Sequence, residues 1–282
     1  MTETDSNETI SYAYAVARDA DGALEDVLAG LPGVADAPVR LVRTAQQADV
    51  VVAVGPVPAQ DFLEDALRAH LEDLDWLESV ARAHHRVIEA LAARTTVLPL
   101  RLATVYLDDE RVRLMLETRR QAFADRLSAL EAQVEWGVKI FVEAAETSEA
   151  AEAARQPDEP PPDAGLSPGR AYLSRRRAQR HARDDAYRDA ERAARRVEDA
   201  ARAYAVDRVQ HRPQQGELAR GPGENVVNDA YLVPQEHAES FHADVLRAAE
   251  GIPGVRIEIT GPWAPYSFAA PADAEPLERA TS

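Results

Sequence analysis

The stretch from Leu71 to Tyr106, LEDLDWLESVARAHHRVIEALAARTTVLPLRLATVY, constrains the fold more than any other part of this chain. Leu77, Val80, His84, Val87, Ile88 and Leu91 recur at helical period, which predicts a long helix with one apolar face and Trp76 at its edge. The period changes at Thr95-Thr96, and Val97-Leu98-Pro99-Leu100 follows as a short apolar run ahead of Arg101. Pro99 has no N–H to give to a ladder, so this run is an edge strand or an irregular extended segment. A helix with a wide apolar face needs a sheet or another helix to cover it, and both flanks supply candidates. No catalytic motif lies here. The stretch is a scaffold.

Upstream, Ser11-Tyr12-Ala13-Tyr14-Ala15-Val16 reads as a strand, followed by a short helix over 23–29. Gly30-Leu31-Pro32-Gly33 has the order of a helix stop. Strands follow near 39–44 and 49–54, and the unbroken run VVVAV in the second implies burial on both faces. Pro56 and Pro58 open a helical segment over 60–70. Downstream, Asp108-Asp109-Glu110 starts a helix to about residue 132, with acids where the helix dipole favours them. Its core candidates are Val112, Leu116, Phe123, Leu127 and Leu130. Val134, Trp136, Val138, Ile140 and Val142 then alternate as one face of a half-buried strand. After a polar tail (1–9), residues 10–142 therefore make a first α+β domain of ordinary size.

Residues 143–169 are acidic and then proline-rich, the composition of an extended, solvated linker. A second α+β domain occupies 170–269, ahead of a polar tail (270–282). It opens with a long Arg/Ala-rich helix over 170–211 whose inward stripe is Ala182, Ala186, Ala190, Ala193, Val197, Ala201 and Tyr204. Side chains this small predict close packing on a neighbouring element. A strand over 226–233, a helix over 235–250 and a strand over 255–260 complete it. Gly30-Leu31-Pro32-Gly33-Val34 and Gly251-Ile252-Pro253-Gly254-Val255 are nearly the same pentapeptide. Either both halves share a βαβ unit, as in ferredoxin-like folds, or the turn alone demands these residues.

The 282 residues carry a formal net charge of −17 and no Cys. Such a charge favours solubility and disfavours non-specific nucleic-acid binding. Without Cys there is no disulfide framework, no thiolate chemistry and no Cys-type zinc site. No run is long enough to span a membrane and the start has no signal-peptide pattern, so a cytoplasmic protein without membrane partners is expected.

Few residues suggest chemistry. His84 and His85 are adjacent and point about 100° apart on a helix, so they cannot easily share a metal. His85 and Glu89 are spaced for one, but a lone pair is a weak zinc signal, and His84 reads as a buried, hydrogen-bonded core residue. Glu78 and Arg82 are ordinary i,i+4 helix support. No nucleophile elbow, phosphate-binding loop or dinucleotide fingerprint occurs, so neither enzyme activity nor a cofactor is expected.

Two features suggest partners. The Arg-rich helix holds thirteen Arg against seven acids between Arg170 and Arg212, with Arg175, Arg176 and Arg180 near its start. A basic helix can track phosphates, which leaves a nucleic-acid-binding protein as the alternative reading. The acids interleave at salt-bridge spacing and the whole chain is acidic, so a solvated or protein-facing helix is favoured. Trp263, Tyr266 and Phe268, stiffened by Pro262 and Pro265, suit either an interdomain clasp or an interface anchor.

The order of these segments is familiar. The early Tyr-x-Tyr strand, Trp76-Leu77 with His84 and Val87, the run VLPLRLATV at 97–105, EWGVK at 135–139 and TGPWAPYSF at 260–268 together resemble the gas vesicle protein L/F family (GvpL/GvpF). The match covers about 10–142 and 225–269. The chain departs in having Leu102-Ala103 where many relatives carry Phe-Gly, and in its Pro-rich insertion near 157–168. The resemblance implies an α+β protein of two domains, the second a modified ferredoxin-like fold. It implies a gas vesicle accessory or minor structural protein that binds the hydrophobic shell-forming protein and other accessory proteins during assembly. It brings no catalytic residues.

Overall fold

A ten-residue strand, β1 (Thr9–Arg18), is central to the first sheet. The structure, a computed structural model, describes residues 8–45, 49–62, 64–70, 72–143, 168–214 and 223–269, but not the side chains of 64, 65, 168, 169, 171 and 175. The chain forms two compact units, one from Met1–Glu135 with Trp263–Ser282 and the other from Trp136–Pro262. Helix and sheet are mixed in both.

In the first unit β1 lies between β3 (Val50–Pro58) and the short β4 (Val97–Pro99), and β2 (Arg40–Arg43) borders β3. All these pairings are antiparallel. The β1–β3 register slips between Ala13 and Ala15, so Tyr14 is an extra, bulged residue. The bulge is why Tyr12, Tyr14, Ala15 and Ala17 all join one core cluster despite the strict alternation of a strand. The helix α1 (Leu24–Leu28) follows β1. The described residues of the expected helix over 60–70 are helical, as α2 (Ala59–Phe62) and α3 (Glu64–His70).

The long helix of the scaffold stretch is α4 (Leu74–Ala92). It starts where Asp73 accepts hydrogen bonds from the N–H groups of Asp75 and Trp76, at 3.1 and 3.2 Å, an N-cap that satisfies two of the orphan donors of a helix start. Its buried face is Val80, His84, Val87, Ile88 and Leu91, as the period predicts; Leu77 lies half-exposed at the margin. β4 is the edge strand that Pro99 requires, with Pro99 opposite Ala15.

Beyond it, β5 (Val105–Tyr106) pairs with β1, a strand too short to leave a periodic signal. The expected helix to about residue 132 is two helices, α5 (Asp109–Thr118) and α6 (Arg120–Ala129), broken at Arg119, where φ is −105° and ψ 14°. No Gly or Pro marks the break. The expected core residues Val112, Leu116, Phe123, Leu127 and Leu130 are all buried.

β6 (Gln133–Val142), expected to close the first domain, is hydrogen-bonded into the second sheet, whose order is β7-β8-β6-β9. Alternation tells which face of a strand is buried, not which sheet its edges join. β7 is Asp207–Gln210, β8 is Glu224–Pro234 and β9 is Val255–Trp263. The Arg/Ala-rich helix is α7 (Pro168–Ala201); it ends ten residues short of the expected 211 and β7 follows. α8 (Ala238–Ala249) packs against α7, and Ala190, Ala193, Val197, Ala201, Phe241 and Val245 are buried.

Numbered in chain order, the four main strands of each sheet lie in the same sequence, second-third-first-fourth, with helices after the first and third. The near-identical pentapeptides sit at different places in this scheme, one before the second strand of its unit and one before the fourth. What they share is a helix stop. Gly30 and Gly251 have φ of 74° and 73°, the left-handed conformation that ends a helix at low steric cost only for Gly.

Candidate functional site

The segment Trp263–Phe268 starts at the last residue of β9 and belongs to the first unit. The segment is held by polar groups from three elements. Glu135 at the start of β6 is buried, and its carboxylate accepts from both the N–H and the hydroxyl of Ser267, each at 2.7 Å. The Arg126 Nε of α6 donates to the Phe268 carbonyl at 2.6 Å. His85 of α4 faces the Tyr266 hydroxyl with Nδ1 at 2.8 Å and Glu89 with Nε2 at 3.1 Å. In the neutral ring Glu89 takes the Nε2 hydrogen, and Nδ1 accepts from Tyr266. Burial raises the Tyr266 phenol above its ordinary range, and the Glu89 and Glu135 carboxylates push the same way.

These contacts sort the three aromatic residues of the segment. Phe268 is 2% exposed and faces the core, offering no surface to a partner. Tyr266 is half-buried, with its hydroxyl engaged. Trp263 is 37% exposed and meets the His85 ring edge-on at 5.4 Å between centroids. Within the unit the segment is a clasp that carries one exposed indole.

α7 divides into two halves. From Ala186 onward it packs through Ala190, Ala193, Val197 and Ala201, and its Arg residues pair with acids one turn away: Arg188 with Asp185, Arg192 with Asp189, Arg202 with Glu198. Every described side chain from Tyr172 to Asp185 is exposed, including Ala182, so the expected inward stripe exists only in the second half. Arg176, Arg177 and Arg180 have no ion-pair partner among the described residues; the Arg175 side chain lies outside them. Beside them Tyr172 and Leu173 are 60% and 64% exposed. Sequence reasoning missed this pair. Two large apolar residues lying outside the alanine stripe were the signal.

His84 is a closed core site. Its Nε2 is 3.2 Å from the Leu100 carbonyl, which can only accept, so Nε2 carries the hydrogen and Nδ1 accepts from the Tyr12 hydroxyl at 3.0 Å. The Tyr12 oxygen in turn accepts from the Ala103 N–H at 3.1 Å. Burial lowers the imidazole to about 4, and neighbouring His85 adds to this. Both ring nitrogens are in use. Among the described residues no three His, Asp or Glu gather as a metal would need, and no helix is long and apolar enough to cross a membrane.

The family described as gas vesicle synthesis protein GvpL/GvpF matches residues 10–270. The chain belongs to the GvpL/GvpF family. It is 44% identical over 268 residues to gas vesicle protein L of Streptomyces sp. (strain CB03234), covering 95% of this chain and 96% of that protein. Gas vesicle protein F of the same strain is 28% identical, across 92% of this chain and 98% of its own length. Among solved structures, GvpF from Anabaena sp. PCC7120 superposes with a TM-score of 0.62 at 18% identity, over 95% of this chain and 98% of that one. GvpF from Microcystis aeruginosa gives 0.59 at 17%, over 93% and 99%. At these identities the two structures speak for the fold. Membership of GvpL/GvpF gives the chain a gas vesicle role.

Proposed function

We propose that this GvpL/GvpF-family chain binds the hydrophobic shell-forming protein of gas vesicles, and other accessory gas vesicle proteins, during assembly in the cytoplasm. A subunit whose polymer repels water on one side is an aggregation hazard before it polymerises. A strongly charged escort with a few exposed apolar anchors can hold it until it reaches a growing end. The observation that carries this reading is the outer half of α7, where exposed Tyr172 and Leu173 adjoin Arg176, Arg177 and Arg180 on a chain of net charge −17. Trp263 is the second anchor, held ready by the clasp beneath it. The role is binding, and no catalytic residue is assigned.

The reading takes the two units as two domains. The second, by its strand order, is a modified ferredoxin-like fold that serves as the platform from which α7 extends. The test is co-expression with the shell-forming protein and pull-down of the native chain, of Trp263→Ala, and of R176Q/R177Q/R180Q. The native chain should retain its partner at moderate salt. Trp263→Ala should weaken retention at every salt concentration, and the triple variant mainly at low salt. Equal retention by all three, with circular dichroism showing intact folds, removes these residues from the interface.

A further inference from the structure

The first unit carries a groove of about 490 Å³ that none of the anchors above touches. One wall is the end of α1 and the turn after it, with Leu28 and Leu31; the other is β2 and its approach, with Val39 and Leu41. Glu25 and Asp36 add carboxylates to the lining. β2 is the outer strand of its sheet and, among the described residues, pairs with β3 alone. In such a strand every second residue turns its N–H and C=O away from the neighbour, which makes the edge a template for another strand.

Proteins commonly guard an edge with free charges. Here the two candidates are occupied. Arg40 binds Asp109 through Nε and Nη2, at 3.2 and 2.5 Å, and Arg43 binds Asp19 and Glu25. The turn at the groove's rim is held in an unusual shape. Ala35 and Asp36 are both left-handed, with φ of 57° and 53°, a pair of conformations that L-residues with a side chain rarely adopt in succession. The Gly33 N–H to the Ala37 carbonyl (2.8 Å) and the Val34 N–H to the Tyr14 hydroxyl (2.8 Å) brace it. A Cβ on Gly33 would collide with that hydroxyl. The brace fixes Asp36 at the groove, where it has no ion pair among the described residues.

We propose that this groove binds an extended peptide segment of a partner protein by strand addition to β2. Alternate apolar side chains of the segment pack on the half-exposed Leu31 and Leu41, and a Lys or Arg meets Asp36. Charge selects this occupant over a second copy of the chain. The net charge of −17 favours a basic segment from another protein.

The probe is a dye-labelled, end-capped heptapeptide of alternating valine and lysine, titrated into the full chain by fluorescence anisotropy and hydrogen exchange. Binding should slow amide exchange within 39–43. N-methylation of one alternate set of peptide amides should weaken binding by about tenfold or more, and methylation of the other set should leave it unchanged, since only one set faces the ladder. Asp36→Asn should weaken the lysine peptide while leaving a valine–threonine peptide unaffected. The proposal is overturned by absence of binding at millimolar peptide, by equal loss from both N-methylated sets, or by protection elsewhere in the chain. Concentration-dependent dimerisation that protects 39–43 without peptide would assign the edge to a second copy and overturn it as well.

Discussion

At the scale of single residues, the polar groups of this chain act as fasteners for its apolar layers. His84 is one. Its ordinary value of 6.5 falls to about 4 in the folded chain because burial disfavours the charged ring, with Tyr12, Tyr14 and His85 around it. The neutral form is therefore the folded form. Its contribution is complete above pH 6.5 and is lost as pH falls from there toward 4, amounting to about 2–3 kcal/mol by pH 4.5. Urea unfolding at pH 7.5 and 4.5 should show the native chain losing that much more stability than His84→Gln; parallel losses would contradict it. Glu135 is another fastener. Glu135→Ala leaves the Ser267 N–H and hydroxyl without their buried acceptor, at a cost of about 1–3 kcal/mol. The expected signature is faster amide exchange over 263–268, with the centre of β1 unchanged.

At the scale of elements, what was legible in the sequence divides along a physical line. α4 could be read closely because its face repeats at helical period and Asp73 caps it, both local signals. β4 could be placed at an edge because Pro99 lacks a donor. The Tyr14 bulge could not be read, since a bulge exists only relative to the partner strand. Nor could the sheet that β6 joins, or the bonds between Glu135 and Ser267, which lie 132 residues apart. The end of α7 was missed because Arg202–Gln210 contains neither Gly nor Pro; the chain leaves the helix when the Val206 N–H bonds to the Leu232 carbonyl.

The alanine stripe was over-read for a related reason. Small residues permit close packing but do not require it, and Ala182 is exposed while Ala193 is fully buried. Ala193→Leu should therefore overpack the second unit and cost about 1–3 kcal/mol, whereas Ala182→Leu should change stability by less than about 0.5 kcal/mol. Thermal unfolding of the two variants checks the contrast. Of the candidate anchors, Trp263, Arg176 and Arg180 keep the exposure an interface needs, while Phe268 is core.

At the scale of the whole molecule, net charge and exposed anchors work together. In the proposed role, a charge of −17 keeps the chain and its cargo apart from other copies, while a local basic helix gives the partner an oriented approach. The two contributions respond differently to salt, which separates them. The measurement that bears most directly on the proposed role is the dissociation constant of the full chain for the shell-forming gas vesicle protein, followed as ionic strength rises. Affinity should fall modestly, as the screened Arg contribution is removed, and then level at a salt-resistant value set by Trp263, Tyr172 and Leu173. No measurable affinity at any ionic strength, or an affinity that falls without limit as salt rises, would contradict an escort that holds its partner through apolar anchors.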